Sequence, residues 1–278
     1  MKRRISGGPV DRLRRLAMVM RPTERDTVEL SFSSSGSDGA LILPDAPRSD
    51  DTVLEALRCS AIDQEGLAVL LELVRDLPGG HRRGIRLVSD GGVSLYWEGR
   101  MATEEQVRVA RLAGQYELAA MAEKLSIRGN GVAYQQSPSG AARMRLYAVF
   151  ASKEILGKLF DQVADEVGLP RETEPGLVRL WQDLEPRFPV IANFSCTGRE
   201  GATALKLEFP CVELRRLRSL GRLSGPERSA LQRASHWLEK GTEALNFLGV
   251  RVFGDGRREL TFYVEAAHLL PDASGRRD

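Results

Sequence analysis

Cysteine and histidine are both scarce in this chain, with three of each among 278 residues. Cys59, Cys196 and Cys211 stand far apart, at no spacing that suits a metal site or a redox pair. An odd count without a framework argues against a disulfide scaffold and for a reducing compartment. His81, His236 and His268 are too dispersed to propose a metal centre. Long apolar runs are missing as well, so no stretch approaches a membrane span. The run "LAMVM" behind the basic start is too short for a signal-peptide core. Net charge is small, formally +2, so global electrostatics gives no reason to expect a nucleic-acid or membrane partner. Together these absences predict a cytoplasmic protein. Cys211 has no identifiable His/Asp pair to activate it as a nucleophile. The Gly-rich "GGVSLYWEG" lies in a hairpin rather than between a strand and a helix, so it is no phosphate loop.

What the chain does contain is a rhythm. Residues 1–26 are basic, punctuated by Gly and Pro, and read as a flexible lead with room for one short helix. After them "TVELSFS" and "GALILP" form the first hairpin. "GIRLVSD" and "VSLYWEG" pair across Asp90-Gly91-Gly92, and "NGVAYQQ" pairs with "RMRLYAVF". "PVIANFSC" pairs with "TALKLEFP", and "GVRVFG" with "RRELTFYVE". Helical stretches lie between the hairpins: 50–59 behind Ser49 as N-cap, 63–77, 103–125 opened by Thr103 and two glutamates, 152–168, 174–184, 212–220 and 225–248. The hairpins begin near Val28, Ile85, Val132, Val190 and Val250, a period of roughly 50–60 residues in which the order of elements repeats. No linker divides residues 27–266, which read as one domain, and 267–278 read as a disordered tail.

Each strand alternates. "RMRLYAVF" puts Arg143, Arg145 and Tyr147 on one side and Met144, Leu146, Ala148 and Phe150 on the other. Glu29, Arg86, Tyr96, Asn193, Lys206, Glu208, Arg251 and Tyr263 fall on equivalent polar faces. The apolar faces need the amphipathic helices as cover. Ten strands make a sheet wide enough to curl and close, which removes its edges and gathers the polar faces around a lumen. Split into two smaller sheets, the same elements would give an ordinary α+β protein with a solvated polar face.

Five hairpins, helices outside and a basic, tyrosine-bearing inner face resemble the prenyltransferase barrel, or ABBA fold. The chain is similar in size to the cyanobactin-type peptide prenyltransferases within it. The resemblance rests on "GVSLYWEG", "RMRLYAVF", "ALKLEFP" and "RRELTFYVE", in that order and on one shared face. It implies a ten-stranded antiparallel α/β barrel. The activity it implies is transfer of a dimethylallyl or longer prenyl group from an allylic diphosphate to a nucleophilic side chain of a ribosomally made peptide. Mg²⁺ would assist the diphosphate, although no carboxylate cage is visible, and the aspartate-rich DDxxD box of helical prenyl synthases is missing: Asp50-Asp51 reads as a helix start.

The residue chemistry agrees with that reading. A departing diphosphate needs several charge-assisted hydrogen bonds in a site shielded from water, and Arg86, Arg143, Arg145, Lys206 and Arg251 are the candidates. Tyr96, Tyr147 and Tyr263 share their face and would shield an allylic cation. Glu29 matches the position of the family's general-base glutamate, with Glu98 or Glu265 as substitutes if the first hairpin is misplaced. The plainer reading leaves Arg145 or Lys206 paired with a neighbouring carboxylate such as Glu208. Two other functions fit the same residues: prenylation of a small aromatic metabolite, and a non-catalytic α+β binding module. The basic run "RRLRSLGR" at 215–222 reads as solvated surface, with docking of an acidic peptide as its alternative.

Overall fold

The computed structural model describes residues 8–76, 81–125, 129–150, 173–186, 188–197, 204–220, 223–253, 255 and 257–270. Ten strands form one closed antiparallel barrel: β1 (Thr27–Ser33), β2 (Gly39–Leu43), β3 (Arg82–Val88), β4 (Val93–Met101), β5 (Gly129–Gln136), β6 (Ala142–Phe150), β7 (Val190–Thr197), β8 (Ala204–Glu213), β9 (Ala244–Phe253) and β10 (Arg258–Glu265). Every strand pairs with its sequence neighbours, and β10 closes the ring on β1 through Glu29–Glu265 to Ser33–Thr261. Closure leaves no unpaired edge. The polar faces therefore meet inside rather than in bulk solvent.

Helices cover the outside. Among the described residues they are α1 (Pro9–Met20), α2 (Asp50–Leu57), α3 (Gln64–Asp76), α4 (Thr103–Leu112), α5 (Tyr116–Leu125), α6 (Thr173–Leu184) and α7 (Gly225–His236). Ser49 caps α2 by accepting from the Thr52 amide, as expected of it, and Ser224 with Glu227 closes a capping box on α7. The core lies between these helices and the outward strand faces, where Val28, Leu30, Phe32, Leu95, Trp97, Phe194, Phe209 and Phe262 are almost wholly buried. No helix among the described residues is long and apolar enough to cross a membrane.

The short helix for which the lead has room is α1, twelve residues long, whose Leu13, Leu16 and Met20 are buried against the barrel, so residues 9–20 belong to the outer layer. Four further elements differ from the sequence reading. The helix expected over 103–125 is two helices, because Gly114 adopts φ +70°, a left-handed turn that ends α4. Residues 212 and 213 extend β8, and 214–220 form a 3₁₀ turn. The helix expected to run to 248 stops at His236, and "ALNFLGVRVF" is all strand. There the free β8 backbone, paired from Val212–Leu245 to Ala204–Phe253, outweighs a local pattern that fits either period. Past Glu265 the chain forms a 3₁₀ turn, Ala267–Leu269, and Leu269 and Leu270 pack on the core. The expected helix over 152–168 and the tail beyond 270 lie outside the described residues.

Candidate active site

All nine residues singled out from the sequence point into the lumen. The ladder gives their order. One line of directly opposed residues runs Glu265–Glu29–Leu41–Arg86–Ser94–Gln135–Arg143, across six strand pairs. A second runs Tyr147–Asn193–Lys206–Arg251–Glu259. Tyr96 and Arg145 face each other across Ala133. Glu29, Arg86, Arg145, Lys206, Arg251 and Tyr263 are each no more than 9% exposed. Strand alternation thus places charges inside a barrel wall that is sealed from outside by the helix-covered core.

The five cations divide into two kinds. Lys206 has a counter-ion in Glu208 at 2.7 Å, and Arg251 has one in Glu259 at 3.4 Å. Arg86 donates to Ser31 Oγ at 2.8 Å and to the Ser37 carbonyl at 3.2 Å, and it lies beside the Tyr96 hydroxyl. It reaches them over Gly39, where a Cβ would collide with its guanidinium. Arg145 donates to Gln135 Oε1 and lies beside the Tyr147 hydroxyl. Among the described residues, neither Arg86 nor Arg145 meets a carboxylate within salt-bridge distance, and the Nε atoms of Arg86, Arg145 and Arg251 have no hydrogen-bond partner. Arg143 is pushed down from the ordinary arginine range by burial, then by the charges of Arg251 and Arg145. The buried Asn193 side chain lacks a partner at both ends, as does Ser94 Oγ. Leaving such groups unpaired costs several kcal/mol per buried charge, so these arginines give this part of the lumen wall a positive excess.

The tyrosines line the same space. Tyr96 and Tyr147 stack at a tilt with ring centres 6.2 Å apart, and Tyr263 meets Phe247 edge-on at 6.3 Å. Lys206 Nζ sits 4.5 Å from the Tyr263 ring centre and donates to its hydroxyl, which donates in turn to Glu208 Oε1 at 3.0 Å. Burial drives the Tyr147 and Tyr263 phenols well above their ordinary pKa, so both keep their protons. Their π-faces therefore present neutral, electron-rich surface.

Glu29 lies toward one rim of the barrel. Burial raises its carboxyl to about 8, opposed by a hydrogen bond that Asn246 Nδ2 donates to Oε2 at 2.7 Å. Of its two substitutes, Glu98 is paired with Arg82 at 2.5 Å. Glu265 is exposed at the rim, where it accepts from the Ala266 and Ala267 amides. A cavity of about 210 Å³ at that rim is bounded by Leu238, Leu245, Asn246 and Glu265. A larger groove of about 780 Å³ lies outside the barrel, between α4 and α5.

Glu208, which the sequence offers only as a pairing carboxylate, and Asn246 complete this site. Asn246 fell in a stretch read as helix. Among the described residues no three His, Cys, Asp or Glu side chains converge as a metal site. The central carboxylates Glu208 and Glu259 are already engaged by Lys206 and Arg251. These residues do not fit a Mg²⁺ ion held by the protein itself.

Comparison with solved structures decides the architecture. The 5-dimethylallyl tryptophan synthase from Streptomyces coelicolor, in complex with DMASPP and Trp, superposes with a TM-score of 0.61 at 16% identity, covering 97% of this chain and 96% of that one. The fold is that of the prenyltransferase barrel. The prenyltransferase PriB, in a binary complex with product diphosphate, matches with a TM-score of 0.53 at 16% identity over 92% of this chain and 94% of that one. AnaPT from Neosartorya fischeri matches with a TM-score of 0.56 at 13% identity over 87% and 78%. No protein-family model matches the chain, and no curated protein matches it. The closed-barrel expectation is met, and the split-sheet alternative is not.

Proposed function

We propose that this prenyltransferase-type barrel transfers a prenyl group from an allylic diphosphate to a nucleophilic acceptor. Arg86 and Arg145 support it most: among the described residues these two buried guanidiniums have no carboxylate partner, in a closed lumen walled by tyrosines. The neighbours in complex with DMASPP and with product diphosphate support a donor of this class.

In this mechanism Arg86, Arg143 and Arg145 bind the diphosphate and stabilise the charge that develops as the C–O bond breaks. Lys206 and Arg251 assist from the adjoining strands. Tyr96, Tyr147 and Tyr263 flank the allylic cation, keep water away and contribute roughly 0.5–2 kcal/mol each. Glu29 takes the proton that the acceptor releases. A base whose pKa lies near 8 is close to the optimum for a neutral-pH reaction. Mg²⁺, if it accompanies the donor, would neutralise phosphate charge, and no side chain of the lumen is assigned to it.

The acceptor presents one aromatic or otherwise nucleophilic side chain toward Glu29. The reading from the sequence makes that side chain part of a peptide. The tryptophan bound by one neighbour favours a second acceptor, a free aromatic compound of amino-acid size. Incubation with dimethylallyl diphosphate and either tryptophan or a mixed peptide library, followed by mass spectrometry, tests both. A 68 Da increment on either acceptor, roughly the mass of a dimethylallyl group replacing hydrogen, supports transfer and selects the class. Its absence from both, with geranyl diphosphate also tried, would leave the binding-module reading as the better account.

A further inference from the structure

Lys206 and Glu208 lie two residues apart on β8 and share its lumen face. Glu208 Oε1 accepts from Lys206 Nζ at 2.7 Å and from the Tyr263 hydroxyl at 3.0 Å. Both side chains are well buried, at 5% and 14% exposure. Burial opposes the Glu208 carboxylate, yet Lys206, Tyr263 and the nearby charge of Arg145 hold its pKa below the ordinary value. An ionised carboxylate therefore sits among the cations that the donor needs. It has the wrong sign to bind a diphosphate and the right position to compete with one.

The neighbouring ion pair is built differently. Arg251 and Glu259 stand 3.4 Å apart, and Glu259 is tied away by Ser33 Oγ, which donates to it at 2.6 Å. Glu208 has no such tether on β1. Its partners are Lys206 itself and Tyr263, whose hydroxyl Lys206 also engages. The three residues form one unit, and exchange of Lys206 from carboxylate to phosphate would leave Tyr263 still bonded to Glu208.

We propose that Glu208 is an internal counter-anion: it holds Lys206 until donor arrives, yields it to the diphosphate, and reclaims it as inorganic diphosphate leaves. This rests on the donor reading above. No covalent bond changes in the exchange. One Lys206–carboxylate contact is replaced by a Lys206–phosphate contact, then restored. Glu208 is thus a positioning residue that sets how tightly the chain holds diphosphate and how readily it releases it.

The test is a gain of affinity, which loss of a merely structural contact would not produce. Calorimetry with inorganic diphosphate and with dimethylallyl thiolodiphosphate compares wild type, Glu208→Gln and Glu208→Asp at one ionic strength. Glu208→Gln removes the charge, and Glu208→Asp withdraws it by one methylene if the first variant fails to fold. The proposal expects Glu208→Gln to bind inorganic diphosphate about ten-fold more tightly than wild type, with Glu208→Asp in between. Steady-state product inhibition should strengthen in parallel. Equal or weaker binding by the folded variants overturns it. Failure of wild type to bind either ligand instead overturns the donor reading on which it rests.

Discussion

Gly249 on β9 lies against the Lys206 side chain, and a methyl group on its Cα would collide with Lys206 Cε and crowd the Tyr263 ring. The missing side chain is what lets Lys206 cross β9 to Tyr263 on β10. Gly249→Ala is therefore expected to displace the ammonium from Tyr263 and Glu208. The predicted result is a fold that persists at a cost of about 1–3 kcal/mol, with donor affinity lowered about ten-fold. A thermal melt and a calorimetric titration of the same preparation separate the two effects.

Arg86 and Arg145 make the clearest prediction, because function and stability should move in opposite directions. Replacing a buried charge that lacks a carboxylate partner by an apolar residue of similar length relieves desolvation. Arg86→Met and Arg145→Met should melt at or above the wild-type temperature. Each should also lose about 1.5–3 kcal/mol of diphosphate affinity, the worth of a hydrogen bond to a charged group. A variant that is destabilised but binds normally would show the arginine to be structural.

Glu29 supplies a pH dependence whose sign can be worked out. Its folded carboxyl is raised to about 8 from an ordinary 4.5, chiefly by burial. Below 4.5 both folded and unfolded chains carry the proton, and the full contribution is present. As pH rises toward 8 the unfolded chain releases it first, so stability falls, and above 8 that contribution is lost. Glu29→Gln keeps an oxygen to accept from Asn246 and removes this loss. At pH 9 it should be more stable than wild type by about 5 kcal/mol, with little difference at pH 4. In the transfer reaction the same variant should lose the acid limb near pH 8 along with most of its rate.

Tyr147 bears on water exclusion. Its ring meets Tyr96 at 6.2 Å beside Arg145. Tyr147→Phe retains the π-face and should retain transfer, whereas Tyr147→Ala opens the wall. The expected signature is a larger share of donor hydrolysed to prenyl alcohol relative to acceptor prenylated, measured by chromatography of both products. An unchanged ratio in Tyr147→Ala would remove Tyr147 from the shielding wall.

Much of the architecture was legible because strand alternation is a strong local signal repeated ten times. Arg143, Arg145 and Tyr147 declared their shared face by spacing alone, and closure followed from the number of strands. What was not legible depended on contacts distant in sequence. "ALNFL" has a pattern that suits either helix or strand, and only the waiting β8 edge made it strand, bringing Asn246 to Glu29. The split between α4 and α5 turned on the backbone of one glycine, Gly114. The division of the cations into paired and unpaired kinds required knowing that Glu259 reaches Arg251 while no described carboxylate reaches Arg86 or Arg145. Residue type places a charge on a face; packing decides whether it has a partner.

The central claim is that the cationic lumen is a donor site. It is tested most directly by calorimetric titration of dimethylallyl thiolodiphosphate, with and without Mg²⁺, into wild type and Arg145→Ala. A donor site requires saturable binding by wild type that largely disappears in the folded variant. No binding by wild type to this analogue or to its geranyl counterpart would contradict it.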